Sequence, residues 1–343
     1  MEVLLTWNHP QFDGAGAKVF HEDFLEMLNN VKNGSYERPG LDGDILRLPQ
    51  EPPLLPIPIE SLRDLPVVLK YLAKMFWEEI RPQFLNWDVS QAAWSLCRQN
   101  NTTITGLLNG LALITFSLRL ESTVASVFQC ATIMDHRRNL PPAPPDAPWV
   151  RSDKVVANYV TQVFHTFDTK QVAQIRSKLP ADTSKGRDLS PGLQHELWAA
   201  STQNRLEIVR KLKGGLQNDL IGVFKCVTDW QQTMSNMGKK KRQFSWLVTN
   251  VGVLDGGTSR RLSTTSDAGL ESDDDDQRWS IDRAQFGLSA EIPAAAIEFA
   301  PISVAGRGMC VNANWSDCAV DTVFGERIMA DLERWLNKLA MQS

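Results

Sequence analysis

Six residues near the start of the chain constrain its fold and chemistry most: His9-Pro10-Gln11-Phe12-Asp13-Gly14, directly after the apolar segment Val3-Leu4-Leu5-Thr6-Trp7. The apolar segment reads as a strand. After Gly14 and Gly16, the residues Phe20, Phe24, Leu28 and Val31 recur at helical spacing, so the opening predicts strand, motif loop and amphipathic helix. An imidazole at a strand end can take a proton near neutral pH, and a carboxylate four residues on can fold back and brace the loop carrying it. The pattern points to acyl transfer. Taken alone, three fixed positions recur by accident in roughly a few per cent of sequences with average residue usage. The bland alternative makes His9 a core histidine and Asp13-Gly14 an ordinary turn pair.

With 343 residues, 43% of them hydrophobic, and eleven tryptophans, the chain can bury a large core. A net charge of -4 supplies no clustered basic face for phosphates, which argues against a nucleic-acid partner. The five cysteines are widely spaced and lack a CxxC pair, so neither a disulfide framework nor a zinc site is indicated, and no metal is expected. A reducing compartment fits, and the expected location is cytoplasmic. The longest apolar stretch, Leu107 to Leu118, is too short to span a bilayer and is interrupted by Asn109 and Gly110. The amino terminus lacks a signal-peptide pattern.

Residues 1–32 hold the motif strand and its helix, and 33–66 form a proline- and glycine-rich crossover. Residues 67–343 form the second lobe. Across the boundary between the crossover and this lobe, Leu65 to Phe84 reads as helical, and Asn101 or Thr103 could cap an apolar core helix through Leu107, Leu111, Ile114 and Leu118. β-rich runs follow at Thr123 to Met134 and Val155 to Phe167, then a long helical stretch from about Pro191 to Met234. Strands are expected at Phe244 to Leu254, Ala295 to Val304 and Met309 to Trp315, the last two joined by the turn Ala305-Gly306-Arg307-Gly308. The segment 256–278 is hydrophilic and acidic at its end, and is expected to be mobile. A final helix capped by Asp321 shows Phe324, Ile328, Leu332, Trp335, Leu336 and Leu339 on one side. The sum is an α/β or α+β sandwich, a mixed sheet with covering helices.

The patterns WNHPQFDGAGAKVFHEDFL, LPIPIESL followed by FWEEIRP, LCRQNNTTITGLLNGLAL, WLVTNVGVL and IEFAPISVAGRGMCVNANW resemble the fungal alcohol acetyltransferase family. Its relatives are chloramphenicol acetyltransferase and peptide-synthetase condensation domains, and the resemblance covers nearly the whole chain. It implies a chloramphenicol acetyltransferase-like fold, with acetyl-CoA as cosubstrate, no bound cofactor, and a small alcohol or secondary-metabolite hydroxyl as acceptor. It makes His9 the general base and Asp13 a bracing carboxylate, with Gly14 leaving room beside the channel. There is no GxSxG elbow, so no acyl-enzyme is required.

Thr249-Asn250-Val251-Gly252 matches the family's Ser-Asn-x-Gly strand, which would bring Thr249 or Asn250 to the channel. A polar strand end with a bulge glycine fits equally. Lys239, Lys240, Lys241 and Arg242 could meet the CoA phosphates, although a solvated turn is the commoner use of such a run. His21, His136, His165 and His195 lack ligand spacing and read as packing or surface residues.

The resemblance also implies a half-domain ahead of the motif strand, whereas here the motif begins eight residues after Met1. The first lobe therefore reads as incomplete, from an internal start or a shortened relative, and an uncovered strand edge could promote association. Asn8 stands where many relatives carry a second histidine. N-acylation, a condensation-type reaction, or a non-catalytic binding role are the alternatives.

Overall fold

The computed structural model describes residues 1–9, 11–30, 41–42, 45–46, 56–57, 59–62, 64–71, 87–89, 92–142, 154–179, 188–239, 242–257, 278–289 and 294–341. Helix α1 spans Gly14–Asn30, and a two-residue pair β1 (Leu41–Asp42) and β2 (Ile45–Leu46) precedes the short helix α2 (Ile59–Leu62). Then come β3 (Trp87–Val89), α3 (Ala92–Gln99), α4 (Ile104–Arg119), β4 (Phe128–Asp135) and β5 (Val160–Phe167). Helices α5 (Thr169–Ser177), α6 (Pro191–Gly214), α7 (Leu220–Phe224) and α8 (Trp230–Gly238) follow. The last third holds β6 (Trp246–Val248), β7 (Gly252–Leu254), β8 (Glu298–Val304), β9 (Met309–Asn314) and α9 (Thr322–Ala340).

One mixed sheet runs β3-β9-β8-β6-β4-β5, with β7 extending the β6 track along β8. β4, β6 and β8 are parallel neighbours, while β5, β9 and β3 join antiparallel. Alternation along the strands divides the apolar side chains between two faces. Trp246, Val248, Ile297, Phe299, Val311 and Ala313 enter the large core with α4, α6 and α9, whereas Leu247 packs separately with Phe244, Ala131 and Ala295. Helix α4 is apolar on all sides and is buried almost throughout, as a central helix must be. Thr103 is its cap, with its hydroxyl accepting from the Gly106 amide at 3.2 Å. A Cβ at Gly106 would lie 2.7 Å from the Ser201 carbonyl oxygen, so the glycine sets the approach of α4 to α6. Helix α9 buries Ile328, Leu332, Trp335, Leu336 and Leu339, and is capped by Asp321 accepting from the Phe324 amide at 3.0 Å.

Several polar groups inside this core are paired in a chain. Asn109 of α4 accepts from Trp246 Nε1 at 2.7 Å and donates to Thr132 Oγ1 at 3.2 Å. Thr132 faces His165 Nε2 at 3.1 Å, and His165 Nδ1 faces Glu207 of α6 at 2.6 Å. Burial pushes the Glu207 carboxyl up, but the His165 and Gln203 contacts outweigh it and leave it below the usual carboxylate range. Two histidines read as packing or surface residues, His136 and His165, are thus buried against carboxylates.

Several expectations change on contact with the structure. Val3 to Trp7 forms no strand: Leu4 is 84% exposed, and no described segment offers the ladder a strand needs. Trp7 instead turns inward, stacked on Phe12 at 5.2 Å and Phe286 at 5.9 Å. The uncovered edge expected there is therefore no strand edge. The long stretch from Pro191 breaks after α6, because Gly215 and Asn218 take positive φ of 58° and 50°. The strand expected at Phe244 to Leu254 divides into β6 and β7 at Thr249 to Val251. Strand β3, unmarked in the sequence reading, adds to β9. Most of the helix expected to Phe84, of the 33–66 crossover and of the 256–278 segment lies outside the described residues. Among the described residues no helix is long and apolar enough to cross a membrane.

Candidate active site

The motif loop is fixed through Asp13, which is only 1% exposed. Asp13 Oδ1 accepts from the Gly16 amide at 2.9 Å, which ties the carboxylate to the first turn of α1, where negative charge is favoured. Arg137, in the 3₁₀ turn Arg137–Asn139 just after β4, grips both carboxylate oxygens, with Nη1 to Oδ2 at 2.8 Å and Nη2 to Oδ1 at 2.9 Å. The Tyr159 amide donates to Oδ2 at 2.9 Å, so four donors occupy the two oxygens. The carboxylate has little capacity left for a substrate, and its position is that of a structural brace.

Arg137 is itself over-determined. Its guanidinium also donates to the carbonyls of Val155 and Ala157 at 2.9 Å each and to Asp135 at 3.0 Å. Burial disfavours its charge, but Asp13 and Asp135 outweigh that and raise its pKa. No spacing rule in the sequence pointed to Arg137. The one visible signal was the charged run Asp135-His136-Arg137-Arg138 ending an otherwise apolar strand.

Gly14 packs where an added side chain would crowd its neighbours. A Cβ there would stand 2.9 Å from Phe286 Cζ and 3.2 Å from Val251 Cγ2. The motif loop therefore lies against both the 278–289 segment and the break between β6 and β7. Lys18 of α1 reinforces it, donating to the Val253 carbonyl at 3.1 Å.

At the other end of the motif, His9 is half-buried and held through its main chain. Its carbonyl accepts from Asn158 Nδ2 at 3.3 Å, and the Gln11 amide closes a turn onto the Asn8 carbonyl at 2.9 Å. Asn250 spans the strand break: Nδ2 donates to Thr105 Oγ1 at 3.0 Å and Oδ1 accepts from the Gly252 amide at 2.8 Å. This bracket holds Gly252 at φ +87°, so the bulge-glycine use of Asn250 is realised. Thr249 Oγ1 is buried and has no hydrogen-bond partner among the described residues.

The basic run is only partly described. Lys239 is the exposed C-cap of α8, Arg242 is half-buried ahead of β6, and Lys240 and Lys241 lie outside the described residues. Burial pushes the Cys97 thiol up to about 12 and raises Cys130 as well, so neither presents a thiolate near neutral pH.

No protein-family model matches the chain. It is 22% identical over 380 residues to a probable alcohol acetyltransferase of Fusarium pseudograminearum (strain CS3096), covering 98% of this chain and 67% of that one. In three dimensions it resembles the trichothecene 15-O-acetyltransferase of Fusarium sporotrichioides, with a TM-score of 0.56 and 13% identity over 96% of this chain. The chain has a chloramphenicol acetyltransferase-like fold. It spans 64% of the length of that structural relative. Within this fold, Asp13 is paired with Arg137 at 2.8 Å.

Proposed function

We propose that the chain is an acyl-CoA-dependent O-acyltransferase, moving acetyl from acetyl-CoA to a small alcohol or secondary-metabolite hydroxyl. The observation that carries this reading is the Asp13–Arg137 lock, which fixes an HxxxDG loop while His9 stays outside the lock. The curated relative, an alcohol acetyltransferase by name, supports it over 98% of the chain. In this reading His9 takes the proton of the acceptor hydroxyl as its oxygen attacks the thioester carbonyl. The tetrahedral oxyanion collapses, expelling the CoA thiolate, and the imidazolium returns the proton to the sulfur. No protein nucleophile is needed, in keeping with the raised thiols of Cys97 and Cys130. Lys239 to Arg242 are the proposed contacts for the CoA phosphates, ahead of the strand whose end meets the motif loop.

The test is release of free CoA thiol from acetyl-CoA in the presence of a panel of small alcohols and matching amines. Acceptor-dependent release with alcohols supports O-transfer. Release with amines alone would move the reading to N-transfer, and no release from a folded, monodisperse protein would overturn it.

A further inference from the structure

The lock on the motif loop has a second buried carboxylate behind it. His136 and Arg137 are consecutive, yet they reach opposite ways: Arg137 to Asp13, and His136 to Asp219 in the connection after α6. Both His136 and Asp219 are fully buried. Asp219 Oδ1 accepts from Thr161 Oγ1 at 2.6 Å and the Ile221 amide at 3.0 Å, and Oδ2 faces His136 Nε2 at 3.1 Å and Lys211 Nζ at 2.8 Å. Burial pushes this carboxyl up, but the His136, Lys211 and Thr161 contacts outweigh it and hold it far below the usual range. Asn139 Nδ2 approaches His136 Nδ1 at 3.1 Å, which assigns the Nε2 proton to the Asp219 side.

The two carboxylates are joined through β5 as well as through residues 136 and 137. The Tyr159 amide donates to Asp13, and the Tyr159 carbonyl accepts from the His136 amide at 2.8 Å. Two residues further on, Thr161 holds Asp219. An unbroken set of hydrogen bonds thus runs from Lys211 at the end of α6 through Asp219, His136 and Tyr159 to Asp13.

We propose that His136, anchored by Asp219, is a positioning residue for the motif: it holds the turn from which Arg137 reaches Asp13, and so sets where His9 stands. Its effect on turnover rests on the acyltransferase reading; its effect on the loop does not. A buried donor lost at residue 136 leaves Asp219 under-satisfied and frees the turn to shift, and a misplacement of about 1 Å can cost on the order of 100-fold in rate.

The test compares His136→Gln, whose Nε2 can still donate to Asp219, with His136→Asn, whose shorter amide cannot. Amide hydrogen exchange in the whole chain is the first readout and steady-state kinetics with acetyl-CoA the second. In His136→Asn the amides of Gly16 and Tyr159 are expected to exchange about 10-fold faster or more, while α4 keeps its protection. The kcat should fall by about 10- to 100-fold with KM for acetyl-CoA within about 2-fold, and His136→Gln should restore both readouts. Should His136→Asn not fold, Thr161→Val removes a different donor from Asp219, and a smaller acceleration at the same two amides is expected. Unchanged exchange at Gly16 and Tyr159, equal acceleration throughout α4, or failure of His136→Gln to rescue would each overturn the proposal. Wild-type protein without acyl transfer, but with the local exchange effect, would count against the activity and leave the positioning role supported.

Discussion

The two ends of the six-residue motif are built differently. Asp13 is buried under four donors drawn from α1, the 3₁₀ turn and Tyr159 just ahead of β5. His9, four residues earlier, is half-buried and held by main-chain contacts from Asn158 and the turn at Asn8–Gln11. The carboxylate therefore carries the cost of precision, as a buried charge fully paired, while among the described residues no hydrogen bond to the His9 imidazole is seen. The difference separates a residue whose loss should damage the fold from one whose loss should damage only the chemistry.

The largest effect should follow from Asp13→Asn, which leaves the buried Arg137 guanidinium with the half-exposed Asp135 but without its buried, two-pronged counter-charge. A loss of about 3–5 kcal/mol is expected in chemical denaturation. A loss below about 1 kcal/mol would break the comparison, since Asp13 would then be no more structural than His9.

Next is the carboxylate behind the lock. A carboxyl whose folded pKa lies below its unfolded value of about 3.9 contributes stability above that value and loses it as pH falls through the folded one. Asp219 is such a group, so wild-type stability should decline below about pH 4. Asp219→Asn should be weaker at neutral pH and show a shallower acid decline. Parallel pH profiles for the two proteins would contradict the pairing with His136 and Lys211.

Gly14→Ala should cost about 1–3 kcal/mol, because its methyl meets Phe286 and Val251 and the neighbours must move. A neutral result would show that the 278–289 segment yields easily there. The smallest effect is expected from the paired change Lys239→Glu and Arg242→Glu. It should raise the KM for acetyl-CoA several-fold at low salt, and less at high salt, with stability little changed. A salt-independent KM would remove these cations from the phosphate site.

How much was legible in the sequence follows the same division between local and distant causes. The capping and burial of α4, the final hairpin and α9 were readable, because apolar periodicity, Thr103, Asp321 and the Gly306 turn act within a few residues. Asp13 stood out in the sequence by its place in the motif. Its partner did not, since Arg137 stands 124 residues away and nothing in linear spacing records that contact. The segment Val3 to Trp7 has a strand's composition, but strand formation depends on a pairing partner more than on local pattern. The break after α6 had a signal in Gly214-Gly215 that helical periodicity overrode. Asn250 reads identically as ligand or bracket until Thr105 and Gly252 are seen on either side of it.

The central claim, that one end of the motif reacts while the other holds, is tested most directly by measuring turnover and thermal stability of His9→Ala side by side. Turnover with acetyl-CoA and a competent alcohol should fall by about 100- to 10,000-fold, with the melting temperature and the KM for acetyl-CoA essentially those of the wild type. Wild-type turnover in His9→Ala, or a fall in activity matched by a collapse in stability like that of Asp13→Asn, would contradict it.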